Sequence, residues 1–351
     1  MTAHPPRARG APAIPVPGPA AGPAAASSRG LAAVCAVLGL LPVAPLLAWA
    51  YGLGAFAVWF WAVTVPSLLL LAVIGVATGR SARHRRLHNA LVAGTVGGLL
   101  GTFAYDAFRL PFLLTGHRLF APIDSYGVLI LGADSSSPWT GLAGWVFHFG
   151  NGIGFGIAYG VVARGRRWYW ALPWGMAIET LAVATPVAGV YALRGTGLLV
   201  IAYGGHLAYG VPLGMLVADP EHTSRRLREV STHTTAYALL GVLVALVVWQ
   251  RPFVTPAPVR AGEQVAPGPS AIVANGRFSP QWLRVPPDGC VSLRNDDAVT
   301  YALSGAGTSP APRLEPGRTT RVCFAGPGVL RVRTSGRPYS GGFVIVDRAE
   351  G

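Results

Sequence analysis

The chain contains no lysine and has little charge of any kind. Arginine supplies all 28 basic residues, and only 12% of the 351 residues are charged. Hydrophobic residues make up 52% of the chain, and the mean hydropathy is +0.45. A chain of this length with so few charges is too apolar for an ordinary soluble enzyme. The composition therefore indicates an integral membrane protein.

Cysteine is scarce too, and the three cysteines fall into two groups. Cys35 lies inside an apolar segment, whereas Cys290 and Cys323 each lie in a short strand-like run of the C-terminal third. Two cysteines in one small domain predict one disulfide, provided that this domain lies outside the cytoplasm.

Motifs for catalysis and for nucleic-acid binding are also missing. The formal net charge of +14 would suit a nucleic-acid partner, but the arginines cluster between apolar segments and no nucleic-acid-binding motif accompanies them. The sequence has no HExxH or CxxC motif, no phosphate-binding loop and no nucleophile placed beside a base. These absences argue against an enzyme, and we expect the lipid bilayer, not nucleic acid, as a partner.

Long apolar segments occupy most of the chain after an N-terminal tail. Residues 1–28 are rich in Pro, Ala and Gly without a hydrophobic period, and predict a disordered tail. A helix needs about 20 apolar residues to cross a bilayer. We predict seven transmembrane helices within residues 29–250. They lie at 30–50, 55–78, 89–108, 141–163, 168–193, 197–218 and 233–250.

The positions of the arginines predict how these helices are oriented. If the N-terminus is inside, the cytoplasmic side carries Arg7, Arg9, Arg29, Arg80, Arg83, Arg85, Arg86, Arg164, Arg166, Arg167, Arg225, Arg226 and Arg228. The opposite side carries only Arg109, Arg118 and Arg194 before the last span ends. Because cytoplasmic loops are enriched in basic residues, we expect a cytoplasmic N-terminus and an extracytoplasmic C-terminal domain in the cell membrane.

Two other features bear on the membrane boundaries. Trp168, Trp170 and Trp174 fall at the inner end of the fifth span, where an interfacial belt of aromatic residues is expected. The external segment between the third and fourth spans is long and partly apolar. We expect it to lie on the membrane or to cap the bundle from outside.

Few ionisable residues lie at membrane depth, so each one is a candidate functional residue. A helical rise of about 1.5 Å per residue places His148, Glu179 and His206 at one depth in three successive helices. Asn151 shares a helix face with His148. Two imidazoles and a carboxylate suit zinc or non-haem iron, and the two histidines suit a haem. The alternative is a hydrogen-bonded polar cluster that joins helices or relays protons.

The membrane segments contain two further patterns. Asp106 and Arg109 are spaced i, i+3 at the outer end of the third span, and predict an ion pair there or, as an alternative, a gate or substrate contact. Glycines spaced as GxxxG recur in the third and fourth spans and predict close helix packing. Room for a flat cofactor beside His148 is the alternative explanation.

The C-terminal part of the chain follows a different pattern. After a Pro-rich linker at 251–270, short alternating apolar runs separated by turn residues predict a small all-β domain at 271–351. Its recognisable elements are FSP at 278–280, the Asn-Asp-Asp turn at 295–297, EPG at 315–317, the Pro-Gly pair at 327–328 and the closing GFVIV. On these elements the domain resembles the cupredoxin family of plastocyanin-like and azurin-like β-sandwiches.

The resemblance implies a copper site whose ligands are missing from this chain. Blue-copper sites use two histidines, a cysteine and a weak axial methionine. The matching positions hold Tyr301, Thr334, Arg337 and Ser340, and residues 251–351 contain no histidine or methionine. The resemblance therefore implies the scaffold without blue copper.

Two more expectations follow from the resemblance. It places Cys290 and Cys323 on neighbouring strands, which favours a disulfide over a thiolate metal site. Tyr301, Arg337 and Tyr339 would lie at the former copper end of the sandwich. They would form a surface for a ligand or an extracytoplasmic protein partner, or else be solvated loop residues.

The expected fold is a polytopic α-helical membrane bundle of about seven helices, followed by an all-β cupredoxin-like sandwich. One functional hypothesis is a transport, metal-handling or redox-associated protein whose working site is the His/Glu layer. The alternative is a non-catalytic envelope anchor or sensor whose β-sandwich binds a protein or ligand. The membrane half resembles no family that we can name.

Overall fold

The computed structural model describes residues 23–115, 120–190, 196–230, 269–305, 312–324, 326–336 and 340–347. Its helices are α1 (Pro23–Leu40), α2 (Ala44–Tyr51), α3 (Phe56–Trp59), α4 (Val65–Gly79), α5 (Arg85–Arg109), α6 (Ala121–Leu131), α7 (Pro138–Val162), α8 (Ala171–Val183), α9 (Val187–Val190), α10 (Thr196–Ala218) and α11 (Pro220–Glu229). Its strands are β1 (Ser270–Ala274), β2 (Arg277–Val285), β3 (Cys290–Asn295), β4 (Tyr301–Gly305), β5 (Arg313–Leu314), β6 (Thr319–Cys323), β7 (Gly328–Thr334) and β8 (Gly341–Val346).

Four helical stretches are long and apolar enough to cross a membrane: Arg29–Tyr51, Phe56–Gly79, Ala82–Phe112 and Thr196–Ala218. They match four of the predicted spans. The predicted seventh span at 233–250 lies outside the described residues, as do nearly all of the predicted tail and linker. The helical half is thus consistent with membrane insertion, and the count of seven spans stays a prediction.

The predicted span at 141–163 is a continuous helix, α7, but it is less apolar than the four long stretches. Its glycines, together with His148 and Asn151, lower its hydropathy. α7 packs against α1, α5 and α6. Because these neighbours surround it with protein, it needs less apolar surface than a helix that faces lipid.

The predicted span at 168–193 is not one helix. α8 has only 13 residues, and a break separates it from the four-residue α9. Pro186 explains the break, since proline lacks a backbone N–H and disfavours the helical conformation of the residue before it. A 13-residue helix is about 20 Å long, which is too short to cross a bilayer.

Glycines bring α5 and α7 into contact, as the GxxxG spacing predicted. A Cβ atom at Gly156 would meet the backbone of Gly94 and Gly98, and one at Gly152 would meet the Thr102 side chain. The two backbones touch along this line, so the packing explanation of these glycines is correct.

The segment between α5 and α7 contains a buried helix, α6, that packs along α7. Phe120, Ile123 and Val128 from this segment are all buried. The described part of the segment therefore packs into the bundle, and its position on the outer side of the membrane stays a prediction.

The C-terminal domain is one curled sheet of eight strands in the order β5-β4-β7-β8-β2-β1-β3-β6. Side chains from both halves of the sheet fill a core that includes Phe278, Leu293, Leu303 and Val332. Cys290 and Cys323 are directly opposite each other on antiparallel β3 and β6 and form the predicted disulfide.

The β domain docks on the end of the bundle where α2 and α6 finish. Arg277 donates hydrogen bonds from its guanidinium to the carbonyl oxygens of Trp49 (2.7 Å) and Ala50 (3.0 Å). These oxygens are at the C-terminal end of α2, where unsatisfied carbonyls attract a cation. Arg333 pairs with Asp134 just beyond α6, with a distance of 2.7 Å between Nη2 and Oδ1.

Candidate polar cavity beneath the β domain

A cavity of about 810 Å³ lies between the helices and the docked β domain. Most of its wall is apolar, with side chains such as Leu46, Phe147 and Ile201. The β domain contributes Trp282, Leu283, Arg284 and Ile345 to the wall. This volume is in the range of sites that enclose drug-sized molecules.

The four residues of the predicted polar layer all lie on this wall: His148 and Asn151 from α7, Glu179 from α8 and His206 from α10. They do not form one cluster, because each imidazole faces a different carboxylate. Within the described parts of the chain, no three His, Cys, Asp or Glu side chains are close enough together to hold a metal ion.

The first pair joins α5 to α7. His148 Nε2 lies 3.0 Å from Asp106 Oδ2 and 3.2 Å from Asp106 Oδ1. Asp106 is 1% exposed and also pairs with Arg109, with a distance of 3.5 Å from its Oδ1 to the guanidinium Nη1. The i, i+3 ion pair predicted at the end of this helix is therefore present, and its carboxylate is shared with His148.

The second pair joins α8 to α10. His206 Nδ1 lies 3.1 Å from Glu179 Oε2 and 3.0 Å from the carbonyl oxygen of Ala202. A carbonyl oxygen only accepts hydrogen bonds, so Nδ1 carries a proton and donates it. The other nitrogen of His206, Nε2, is then left as an acceptor when the ring is neutral.

Tyr105 of α5 stands between the two pairs. Its ring centroid is 5.9 Å from that of His148 and 4.9 Å from that of His206. The Arg109 guanidinium lies over the Tyr105 ring, 4.7 Å from its centroid, in a cation–π contact. The two ion pairs are therefore linked by packing and not by a shared ligand.

Three buried polar atoms of the wall have no hydrogen-bond partner within the described residues: Asn151 Oδ1, Glu179 Oε1 and Trp174 Nε1. The Asn151 amide is oriented by its Nδ2, which donates to the carbonyl oxygen of Phe147 at 3.0 Å. Buried polar atoms in native proteins nearly always have partners, so a group of three on one cavity indicates a polar ligand or water.

Sequence reasoning missed three features of this cavity. Asp106 was predicted to pair with Arg109, but its contact with His148 was not predicted. Trp174 lines the cavity, whereas Trp168 and Trp170 are exposed. Tyr105 received no role. No sequence signal indicated the contact between Asp106 and His148, because 42 positions separate the two residues.

The former copper end of the β domain is filled by hydrogen-bonded side chains. Thr334 Oγ1 donates to the carbonyl oxygen of Gly276 at 2.6 Å, and Ser340 Oγ donates to that of Thr334 at 2.8 Å. The Tyr301 hydroxyl donates to Asp297 Oδ2 at 3.0 Å. The polar side-chain atoms of Thr334, Ser340, Tyr301 and Asp297 are all oxygens. A blue-copper site needs thiolate and imidazole, so these residues do not fit copper.

Tyr301 is not a solvated loop residue, since it is only 6% exposed. Thr334 and Ser340 are 3% and 6% exposed, and all three residues gather around Gly276. These hydroxyls can be buried because each one exchanges its hydrogen bond to water for a hydrogen bond to a backbone or carboxylate oxygen. Arg337 and Tyr339 lie outside the described residues.

Solved cupredoxin structures are similar to the C-terminal β domain. A reduced amicyanin variant is 20% identical, with a TM-score of 0.21, and the match covers 26% of this chain and 92% of that one. An oxidised amicyanin variant gives the same four values. A purple cupredoxin from Nitrosopumilus maritimus is 26% identical over 22% of this chain and 99% of that one, with a TM-score of 0.20.

The comparisons do not extend to the helical half. No family model matches the chain, and no curated protein matches it.

Proposed function

We propose that this chain is an integral membrane protein that binds a small lipophilic molecule in the cavity, with the β domain as an extracytoplasmic cover. One observation carries the proposal: a single cavity collects His148, Asn151, Glu179 and His206, and the β domain completes its wall. Apolar walls with a few convergent polar groups are typical of small-molecule sites. The binding proposal extends the transport hypothesis, because a transporter needs a binding site at membrane depth.

The docking geometry favours this proposal over a protein-binding β-sandwich. The face of β8 that turns away from the sandwich core packs against the bundle through Phe343 and Ile345. That face is not available to another protein while the domain is docked. Together with the hydroxyl-filled copper end, this supports a role for the β domain as part of the membrane site.

The pairing of each imidazole with its own carboxylate supports a polar cluster over a metal or haem site. Elemental analysis and an absorption spectrum of the purified protein test this choice. We expect no stoichiometric metal, no haem band and no blue-copper band. Metal or haem that is present in the wild type and lost in both His148→Ala and Glu179→Ala would reverse the choice.

The extracytoplasmic placement of the β domain is also part of the proposal. The side chain of Ser224 in α11 lies 3.5 Å from the carbonyl oxygen of Asn89, at the beginning of α5. The β domain docks at the opposite end of the bundle, where Arg277 meets α2. A tag after Gly351 should be accessible from outside intact cells, and access only from the cytosol would contradict this placement.

Blocking the cavity tests the binding proposal. Ala202 of α10 lines the cavity, whereas Val200 of the same helix is 65% exposed. Ala202→Trp fills the cavity with an indole, and Val200→Trp adds the same group to the outer surface as a control. Protein in nanodiscs should carry a lipophilic molecule, detected by mass spectrometry, in the wild type and in the control but not in Ala202→Trp. Equal loads in all three would refute the proposal.

A further inference from the structure

Two oxygens and two imidazole nitrogens of the cavity wall can accept hydrogen bonds from a ligand. Asn151 Oδ1 and Glu179 Oε1 are buried acceptors without a partner in the described chain. Since His206 donates from Nδ1 and His148 donates from Nε2, their remaining nitrogens also accept when the rings are neutral. Trp174 Nε1 is a donor on the wall without a hydrogen-bond partner among the described residues. A molecule that satisfies the two free oxygens must supply donors.

The charged groups of the wall also favour a ligand that supplies hydrogen-bond donors. The Asp106 carboxylate is paired with Arg109, and Arg284 pairs with Asp347 at 2.7 Å. Glu179 is 4% exposed, and its ion-pair partner among the described residues is His206, not an arginine. Burial of a carboxylate lowers the stability of the fold unless the carboxylate has a partner of opposite charge and both of its oxygens accept hydrogen bonds. A cationic donor at Glu179 Oε1 would supply the charge and the missing hydrogen bond.

The remaining wall suits an apolar body with aromatic contacts. Phe147, Phe155 and Trp174 lie on the wall along with aliphatic side chains. Aromatic faces attract ammonium groups and pack well against apolar chains. The described wall thus combines the Glu179 carboxylate, the Asn151 amide oxygen, two arginines that are paired with aspartates and a large apolar space.

We propose that the cavity binds a lipophilic primary or secondary ammonium ion, with Glu179 as its counter-ion and Asn151 as its second acceptor. A quaternary ammonium has no N–H for these two oxygens, and an anion would face Glu179. This inference rests on the proposed function, because it names the chemical class of the molecule that the cavity holds.

A matched series of ligands tests the inference. Phenylbutylamine, phenylbutanol and phenylbutyrate share one body and differ in head group, being a cation, a neutral donor and an anion at neutral pH. Their binding to the protein in nanodiscs is measured by calorimetry, with empty nanodiscs subtracted. We expect the amine to bind at least about tenfold more tightly than the alcohol, the ratio for one charged hydrogen bond. The carboxylate should bind least.

Variants assign the preference to its residues. Glu179→Gln keeps the shape of the side chain and should lower affinity for the amine to that for the alcohol. Asn151→Leu should weaken binding of the amine by a smaller factor and serves as a second variant. Glu221→Gln, at an exposed glutamate of α11, is the matched control and should change nothing. Size-exclusion profiles establish that each variant is folded.

Failure of this inference is distinguishable from failure of the proposed function. If the alcohol or the carboxylate binds as tightly as the amine, or if Glu179→Gln keeps the preference for the amine, the ammonium class is wrong. The same is true if none of the three ligands binds. The binding proposal survives any of these results as long as Ala202→Trp loses the lipophilic molecule that the wild type carries.

Discussion

Phe343 and Val344 are consecutive residues of β8, yet they pack into different cores. Val344 belongs to the core of the β domain, whereas Phe343 packs against Trp49 of the bundle, with ring centroids 6.3 Å apart. Successive side chains of a strand point to opposite faces of its sheet. All six residues of β8 are buried for this reason. β8 therefore packs against both halves of the molecule.

We expect Phe343→Ala to loosen the β domain from the bundle without unfolding it. Truncation of a buried phenylalanine typically costs about 3–5 kcal/mol, and here the loss falls on the docking interface. Hydrogen exchange should rise at the C-terminal end of α2 and at β2. Val299→Ala, at a residue that is 57% exposed in the same domain, is the control. Unchanged exchange in Phe343→Ala would show that the interface does not hold the domains together.

The contact between α5 and α7 predicts that Gly156→Ala destabilises the bundle. The added methyl group would meet the backbone of Gly94 and Gly98, which cannot rotate away, so the helices must separate. Overpacking of this kind typically costs about 1–3 kcal/mol. Gly75→Ala is the matched control, since a Cβ atom there meets open space. The thermal unfolding midpoint in detergent should fall for the first variant only, and equal midpoints would contradict the packing.

Loss of the disulfide should destabilise the β domain. Cys290 and Cys323 are 33 residues apart, and closing a loop of that length stabilises a fold by about 4 kcal/mol in the chain-entropy description. We expect Cys290→Ser with Cys323→Ser to lower the unfolding midpoint of the domain. Cys35→Ser leaves the bridge intact and is the control for thiol removal. The prediction fails if reductant and the double substitution both leave unfolding unchanged.

Asp124 of α6 should make stability depend on pH. Burial raises the pKa of its carboxyl from 3.8 to about 7. The folded protein then holds a proton that the unfolded chain releases between these two values. Stability is accordingly greatest below about pH 4, falls as pH rises from there to about 7, and levels off above it.

Thermal unfolding across this pH range checks the effect. Asp124→Asn should flatten the dependence, and it should raise stability most above pH 7, where the wild type carries a buried charge. Asp288→Asn, at an exposed aspartate of the β domain, should keep the wild-type dependence. A slope that survives in Asp124→Asn would assign it to another group.

The two-part organisation and the disulfide were predictable from the sequence, and the membrane site was predictable only in part. His148, Asn151, Glu179 and His206 were found because polar groups are rare in apolar helices. The partner of His148 was not predicted, because Asp106 is 42 residues from His148 and nothing local indicates that α5 and α7 cross there. Pro186 marks the helix break in the sequence. The hydropathy of the segment does not show this break, because the residues on both sides of it are apolar.

The sequence by itself determined which segments are apolar enough for a membrane, that the C-terminal domain is a β fold similar to cupredoxins, and which cysteines pair. These properties depend on the composition of each segment, which determines how water solvates it, and on the spacing of its residues, which backbone geometry converts into positions on a helix or strand. Only the tertiary structure decided that each histidine has its own carboxylate, that the copper end is closed by hydroxyls, and that β8 is buried on both faces. Those outcomes depend on which distant segments meet, because packing between helices and sheet, and not local pattern, brings the groups within hydrogen-bond distance.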